Sequence, residues 1–499
     1  MSVAVDPVQS GSALEKRLQD PDLLRDRNLV DGAWCASASG RSHPVLDPST
    51  GELLADVPFS ESIDAERGIG AARGAFHSWS RRTAKERSAL IRRWYELIMS
   101  NKQDLGSILS SEQGKPLSEA VGEVAFGASY VEWYAEEAKR AYGEMIPTHA
   151  ADKRLGVIKQ PVGVAALITP WNFPSAMITR KAAPALAAGC TVVIKPAEDT
   201  PLSALALGEL AQRAGIPPGV INIITTGDPA PIGDCLTSHP EVRKLSFTGS
   251  TRVGKLLMSQ CASTIKKVSL ELGGNAPFIV FDDADLDAAV AGLMVSKYRN
   301  TGQTCISANR IFVQAPVFDR FLEKLEAEVS RLKVGGPFES GVDQGPLINQ
   351  AALDKVKRLV KDAMSRGAQA VTGARVHGKG GLFYEPTILK DVPEGARILG
   401  EEVFGPVASL IRFTSESEVV AMANDTSVGL AGYFYSRDIG RIWRVAEALE
   451  VGMVGINEGM ISSELIPFGG IKESGIGREG SRHGLDDFLE FKYLCFGGI

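Results

Sequence analysis

The chain has 499 residues, well above the size at which one hydrophobic core stops growing, so we expect two or more structural units. Its 44% apolar and 23% charged residues are ordinary for a globular enzyme. The net charge of −6 argues against nucleic acid or an anionic membrane as the main partner, although a local cluster of arginines can still bind a small anion.

The start of the chain and its cysteines bear on its location. The first residues, MSVAVDPVQSGSALEKRL, lack the basic and apolar regions of a secretory signal and are acidic for a mitochondrial transit peptide. No apolar run approaches the length of about 18 residues that a transmembrane helix needs. The six cysteines form no CxxC pair, so neither a disulfide scaffold nor a metal cluster is indicated. We therefore expect a cytoplasmic protein without a metal site.

The first third of the chain is helical in pattern, and an alternation of strands and helices follows it. Apolar residues recur at helical spacing over 84–116, where Gly114 and Pro116 supply a stop, and again over 117–143. Strands are then predicted at 163–169, 191–196, 220–224 and 244–250, and helices at 175–189 and 204–215. This alternation predicts a mostly parallel sheet covered by helices.

A second alternating series begins near residue 277. Its short apolar runs predict strands at 277–281, 310–314, 408–413, 431–436 and 452–457. We therefore predict two α/β units with a boundary near residue 273. The last segment, 486–499, is apolar and aromatic, so we expect it to dock, for example on another subunit.

The sequence GIGREG at 475–480 matches the glycine pattern of a dinucleotide-binding loop. No strand precedes it, and the chain ends before an acidic ribose ligand can follow at the usual offset. We interpret it as a glycine-rich turn.

Two residues are candidates for nucleophile and base. Cys305, in GQTCIS, has a glycine and polar neighbours, so it is either a structural thiol or a reactive one. Glu271, in VSLELGGNAP, follows an apolar run and precedes two glycines. Its carboxylate is either solvated at a strand end or partly buried, with a raised pKa that suits a general base.

Two loops that follow predicted strands are candidates for binding. Asn172 lies beside Trp171 between two prolines in ITPWNFP, where it either forms a turn or donates to a developing oxyanion. Lys195 and Glu198, in VVIKPAEDTP, either grip ribose hydroxyls or form a surface ion pair.

Together with three further motifs, these stretches resemble the aldehyde dehydrogenase superfamily over essentially the whole chain. In order, the motifs are PWNFP, KPAEDTP, FTGS, LELGGNAP, GQTC, EEVFGP and PFGGIKESGIGRE. Within the superfamily the chain is most similar to the succinate-semialdehyde dehydrogenase subfamily, notably in KPAEDTPLSALALGELA and in the KYLCFGG ending. The resemblance implies a Rossmann-like NAD-binding domain, an α/β catalytic domain and a small β oligomerisation arm.

The resemblance implies that Cys305 is the nucleophile that attacks the aldehyde carbon. The main-chain N–H of Cys305 and the side chain of Asn172 would hold the oxyanion, and hydride transfer to the nicotinamide would leave a thioester. Glu271 would activate the water that hydrolyses the thioester. Some subfamily members carry a second cysteine two residues after the nucleophile, where this chain has Ser307.

The resemblance also assigns the cofactor-binding residues. They are Lys195 and Glu198 at the adenosine ribose, Gly249 and Ser250 at the pyrophosphate, Trp171 and Leu272 along the nicotinamide path, and Glu402 with Phe404 at the nicotinamide ribose. Because a carboxylate at position 198 accepts from a free 2′-OH and repels a 2′-phosphate, we expect NAD to be preferred, with NADP possible.

For the substrate, the resemblance implies an aldehyde with a distal carboxylate that is bound by Arg180, Arg299 and Ser462. The alternative is that these arginines pair with acids of the protein itself. The predicted reaction is oxidation of succinate semialdehyde to succinate, with glutarate semialdehyde or a broader range of aldehydes as the alternative. An enzyme that transfers its acyl group to coenzyme A is disfavoured because that branch typically lacks a carboxylate at the position of Glu271.

The same resemblance sets the expected domains and assembly. Residues 1–144 and 162–272 form the NAD-binding domain, 273–474 the catalytic domain, and 145–161 with 482–499 the oligomerisation arm of a homodimer or homotetramer. A protein that uses this fold only for binding would be expected to have lost Cys305, Asn172 or Glu271, and all three are present.

Overall fold

A computed structural model describes residues 13–499; the first twelve residues, on which part of our interpretation of the chain's start rests, lie outside that range. The strands are β1 (Asn28–Val30), β2 (Ala33–Cys35), β3 (Ser42–Leu46), β4 (Leu53–Pro58), β5 (Glu144–Ile146), β6 (Lys153–Pro161), β7 (Val164–Ile168), β8 (Thr191–Lys195), β9 (Ile221–Ile223), β10 (Val242–Thr248), β11 (Lys267–Glu271), β12 (Ala276–Val280), β13 (Ala308–Gln314), β14 (Gln369–Thr372), β15 (Thr387–Lys390), β16 (Val407–Phe413), β17 (Val428–Gly429), β18 (Ala431–Tyr435), β19 (Met453–Ile456), β20 (Ile471–Lys472), β21 (Gly475–Ile476) and β22 (Leu489–Gly497).

The α-helices lie mainly between these strands. They are α1 (Ser62–Ser80), α2 (Ala84–Ser100), α3 (Lys102–Gln113), α4 (Leu117–Glu137), α5 (Ala176–Ala188), α6 (Leu202–Arg213), α7 (Pro229–Ser238), α8 (Thr251–Cys261), α9 (Leu286–Tyr298), α10 (Phe318–Val329), α11 (Gln350–Ser365), α12 (Arg397–Gly400), α13 (Glu416–Asn424), α14 (Ile439–Ala448) and α15 (His483–Asp486). No helix within residues 13–499 is both long enough and apolar enough to cross a membrane.

The first large sheet brings four of the sequence motifs to one edge. Its strand order is β2-β1-β9-β8-β7-β10-β11-β21, and the five strands from β9 to β11 run parallel. Ile168 pairs with Lys195, and Thr248 pairs with Glu271, so the carboxyl ends of these four strands are level. The loops after them therefore meet at the edge where open α/β sheets bind ligands.

The second large sheet has the order β14-β15-β16-β13-β12-β18-β19, with β14 as an antiparallel edge strand beside parallel neighbours. The predicted α/β fold is thus confirmed. The strands pass from the first sheet to the second between Glu271 and Ala276, while the short strand β21 returns to the first. The exact domain bounds stay predictions.

A third sheet ties the end of the chain to its own middle. In it β22 pairs with β6 over nine residues and β6 pairs with β5, all antiparallel. The C-terminal segment therefore docks within its own chain. Met145, Phe491 and Tyr493 on this sheet stay exposed, and its role as an oligomerisation arm stays a prediction.

The predicted helix over 84–116 is in fact two helices that break at Asn101. The Asn101 side chain donates to the carbonyl of Leu97 (2.8 Å), which ends α2 because the amide competes with the main-chain pattern. Gly114, in the left-handed region at φ 88°, ends α3 as expected. The helix predicted over 117–143 ends at Glu137 and is followed by a short 3-10 turn.

Candidate active site

A cavity of about 640 Å³ lies at the edge of the first sheet, where the loops after β7, β10 and β11 face the loop before β13. The predicted site residues that line it are Trp171, Asn172, Gly249, Ser250, Glu271, Leu272, Cys305, Glu402 and Phe404. The structure therefore brings together residues that lie up to 233 positions apart along the chain. Among residues 13–499, no group of histidine, cysteine, aspartate or glutamate side chains is arranged to hold a metal ion.

Cys305 lies on a tightly turned loop that leads into β13. Asn300 and Thr301, earlier on this loop, have left-handed backbones with φ of 52° and 58°. The thiol is partly accessible, and burial raises its pKa to about 12, a shift that the charge of Arg180 partly opposes. A raised pKa disfavours the thiolate, so a nearby base or positive charge has to activate the thiol.

Glu271 ends β11 inside the protein, so the buried interpretation of this residue is correct and the solvated one is wrong. Only 3% of the residue is exposed, and neither carboxylate oxygen has a hydrogen-bond partner among residues 13–499. Burial raises its pKa well above the usual range, and the charge of Glu479 adds to the effect. A buried carboxyl group with a raised pKa suits a general base that works near neutral pH.

Asn172 is fixed beside the nucleophile loop. Its residue is buried, and its side-chain nitrogen donates to the carbonyl of Gln303 at 3.0 Å, two residues before Cys305. Because a side-chain amide has two N–H groups, the second is left to donate to an oxyanion. The neighbouring Trp171 packs edge-on against Phe404, with ring centres 5.4 Å apart.

The residues predicted to bind the adenosine ribose and the pyrophosphate lie at or after the ends of β8 and β10, at the edge of the first sheet. Lys195, at the end of β8, forms an ion pair with Glu198, whose side chain is one-third exposed. The predicted ion pair thus exists, and it leaves carboxylate surface for a ribose hydroxyl. Ser250 caps α8 by accepting from Val253 N (3.4 Å), and no acidic residue lies in the first turn, so this helix start suits a pyrophosphate.

Glu402 lies on the other side of the cavity. Its carboxylate accepts from the main-chain nitrogen of Gly274 (3.2 Å), and burial raises its pKa to about 7. A Cβ at Gly273 would lie 3.1 Å from the same carboxylate, so glycine allows the close approach. The predicted contact of Glu402 with the nicotinamide ribose stays a prediction.

The two candidate arginines differ in their partners. Arg180, buried on α5, lies 2.5 Å from Glu479 and over the ring of Phe468. It thus pairs with a protein acid, the alternative left open from the sequence, and its substrate role stays a prediction.

Arg299 has no carboxylate within ion-pair distance among the described residues. It contacts the sulfur of Met460 at 3.2 Å and the ring of Phe173 at 5.4 Å. Ser462, two residues after Met460, is half-buried in the same segment. Arg299 does not line the cavity of Cys305, and its role in binding a substrate anion stays a prediction.

The acid that forms an ion pair with Arg180 was not predicted from the sequence. Glu479 is 5% exposed, and it also forms an ion pair with Lys181. It lies in GIGREG, which is not simply the predicted turn because its first two residues form β21. A charged residue among close-packed glycines is the one signal that pointed to burial. Its charge helps to raise the pKa of Glu271.

The sequence of this chain matches those of known proteins. The model of the Aldehyde dehydrogenase family matches residues 34–494. Glutarate-semialdehyde dehydrogenase of Pseudomonas aeruginosa is 58% identical over 483 residues, which cover 97% of this chain and 100% of that protein. Succinate-semialdehyde dehydrogenase [NADP(+)] GabD of Escherichia coli is 56% identical over 481 residues, covering 96% and 100%.

The structure of this chain is also similar to solved structures. The crystal structure of succinate-semialdehyde dehydrogenase from Burkholderia pseudomallei has a TM-score of 0.95 at 57% identity and covers 96% of this chain and 99% of that one. The predicted family and fold are confirmed. Because relatives named for two different aldehydes are nearly equally similar, identity alone does not choose the substrate.

Proposed function

This chain belongs to the aldehyde dehydrogenase family, and from that premise we propose that it oxidises succinate semialdehyde to succinate with NAD(P). One arrangement carries the proposal. Cys305, Glu271 and Asn172 line one cavity, and Arg299, which lacks a carboxylate partner within residues 13–499, packs on the loop that carries Asn172. Glutarate semialdehyde, longer by one methylene, is the second candidate.

Different residues of this chain carry out the separate steps of the reaction. The Cys305 thiolate attacks the aldehyde carbon, and the main-chain N–H of Cys305 and the side-chain N–H of Asn172 hold the oxyanion. Accepting a hydride is the chemistry that a bound nicotinamide would supply, and loss of that hydride would leave the Cys305 thioester. Glu271 then takes a proton from the water that attacks the Cys305 thioester, which releases the acid and restores the thiol. No histidine takes part.

Different residues at the edge of the first sheet would bind different parts of the cofactor. Lys195 and its ion-pair partner Glu198 would hold the adenosine ribose. Gly249 and Ser250 would face the pyrophosphate at the start of α8, and Trp171, Leu272, Glu402 and Phe404, which line the cavity, would enclose the nicotinamide half. Trp171 and Phe404 also exclude water from the reacting carbon, which strengthens the electrostatic contacts there.

We expect a higher kcat/KM with NAD than with NADP. Glu198 accepts from a free 2′-OH, whereas its charge repels a 2′-phosphate, and Lys195 softens the repulsion because it is paired with Glu198. Steady-state kinetics with both cofactors measure the ratio, and Glu198→Gln should move it toward NADP. A wild-type enzyme that works better with NADP, as the name of the Escherichia coli relative indicates for that protein, would contradict this expectation.

Arg299→Ala should reduce kcat/KM for succinate semialdehyde by about 100-fold and leave a neutral aldehyde such as butanal within about twofold. A charge-assisted hydrogen bond contributes roughly 1.5–3 kcal/mol, and the chemistry at Cys305 is intact in the variant. The neutral aldehyde is the internal control. If both substrates lose activity equally, Arg299 supports its loop and does not bind the substrate.

A further inference from the structure

A buried ion pair lies beneath the loop that carries Asn172. The ammonium group of Lys115 is 2.6 Å from a carboxylate oxygen of Glu123, and each side chain is 1% exposed. Lys115 follows the glycine that ends α3, and Glu123 is on α4. Neither residue lines the cavity or belongs to a motif with an assigned role.

The pair holds both ends of a short stretch of main chain. Lys115 Nζ donates to the carbonyl of Asn172 at 2.8 Å and lies 4.0 Å from the ring centre of Phe173. The other oxygen of Glu123 accepts from the main-chain nitrogens of Ser175 (3.0 Å) and Ala176 (3.2 Å), at the start of α5. The backbone from Asn172 to the first residue of α5 is therefore fixed at both ends.

The same carbonyl connects this stretch to the nucleophile loop. Asn300 donates from its side-chain amide to the carbonyls of Asn172 (2.9 Å) and Gln303 (3.1 Å). Gln113 in turn donates to the side chain of Asn300 at 3.0 Å and accepts from the main-chain nitrogen of Lys115 at 3.0 Å. These bonds form a closed ring, so the position of Asn172 relative to the loop of Cys305 depends on Lys115.

Stability alone does not account for this pair. Desolvation offsets much of the attraction between buried charges, and apolar side chains of similar volume often replace such a pair without loss of stability. Apolar side chains cannot donate to the carbonyl of Asn172. A displacement of about 1 Å in a reacting group can cost about 100-fold in rate.

We propose that Lys115 and Glu123 are positioning residues that hold the Asn172 amide at the oxyanion. The inference rests on the proposed function of Asn172. The pair acts through the main chain of the loop and touches neither substrate nor cofactor.

The test is a double-mutant cycle on the full-length enzyme, assayed with the aldehyde that the wild type oxidises fastest. The variant Lys115→Met/Glu123→Gln removes the donor without leaving an unpaired buried charge, and the amide oxygen introduced at position 123 can still accept from the start of α5. We expect kcat to fall by about 10- to 100-fold, with the KM for cofactor within about threefold. In an Asn172→Ala background the same double substitution should cost less than about threefold, since its effect passes through Asn172.

Arg87→Met is the matched control. Arg87 is a buried cation that donates to the carbonyl of Ala187, near the opposite end of α5, at 3.1 Å. Its loss should lower Tm and leave kcat within about twofold. If Lys115→Met/Glu123→Gln folds poorly, Glu123→Gln alone serves, with an expected three- to tenfold loss of kcat that also disappears in the Asn172→Ala background.

If the double substitution lowered kcat by the same factor in both backgrounds, the inference would be overturned, because the pair would then be only structural. An unchanged kcat in the double variant would overturn it too. A wild-type kcat for Asn172→Ala would overturn the proposed role of Asn172 itself, and the inference with it. The first two outcomes leave the proposed function standing, so the two failures are distinguishable.

Discussion

Cys305→Ala is expected to lower aldehyde oxidation to below about 0.01% of wild type while the cofactor still binds. Loss of a nucleophile removes the covalent route entirely, and such losses reach about 10⁶-fold in other enzymes. Cys305 lines the same cavity as Asn172 and Glu271, whereas the predicted cofactor contacts come from loops other than that of Cys305. Steady-state rates and the fluorescence change on cofactor binding measure the two effects separately.

Cys35→Ala is the matched control for this variant. Cys35 is also partly accessible, but it lies on β2, at the edge of the first sheet. It should keep wild-type turnover. Appreciable turnover by Cys305→Ala, with binding intact, would remove Cys305 from the mechanism.

Glu271→Gln is expected to give a burst of reduced cofactor near one per active site, followed by turnover about 10²- to 10⁴-fold slower than wild type. Attack by Cys305 and hydride transfer still proceed, but hydrolysis of the thioester loses its base. Rapid-mixing absorbance at the reduced nicotinamide band measures both phases. Unimpaired steady-state turnover would contradict the assigned role.

The rate of thioester hydrolysis is expected to change with pH in one direction. Burial raises the pKa of Glu271 well above its usual range, so the deprotonated, active form grows as pH rises through that raised pKa. The deacylation rate of the wild type should therefore rise with pH until that pKa is passed, and Glu271→Gln should lose this rise.

Glu112→Gln is the matched control. Burial also raises the pKa of Glu112, to about 8, but its carboxylate accepts from Leu202 N and Ser203 N at the start of α6. It should show no burst.

The sequence predicted the parts of the site that depend on short motifs. Loops that follow apolar runs place Asn172, Ser250 and Glu271 at one sheet edge because parallel strands share a direction, and the register confirms this. The central residues of the strands could be predicted because each strand is a short apolar run.

Contacts between distant segments could not be predicted. Glu479 reaches Arg180 from 299 positions away, and no local pattern indicates which acid an arginine meets. The charges of Glu479 and Arg180 also shift the pKa of Glu271, in opposite directions, and no local pattern predicts either contribution. The break at Asn101 is local, but it follows from one side-chain hydrogen bond that helical spacing does not reveal.

The preference between succinate and glutarate semialdehyde depends on a small difference in binding free energy. One methylene group in a pocket is worth only about 1–3 kcal/mol, so the enzyme can turn over both. We expect the anionic end of the substrate to have a larger effect, because Arg299 lies beside Phe173 on the Asn172 loop.

The most direct measurement of the central claim is kcat/KM of the wild type across succinate semialdehyde, glutarate semialdehyde and butanal, each with NAD and with NADP. We predict that succinate semialdehyde exceeds butanal, a neutral aldehyde of the same length, by at least ~100-fold, which corresponds to about 3 kcal/mol of net binding to the distal carboxylate. Equal values for the charged and neutral aldehydes would contradict the proposed substrate and leave only the general aldehyde dehydrogenase activity.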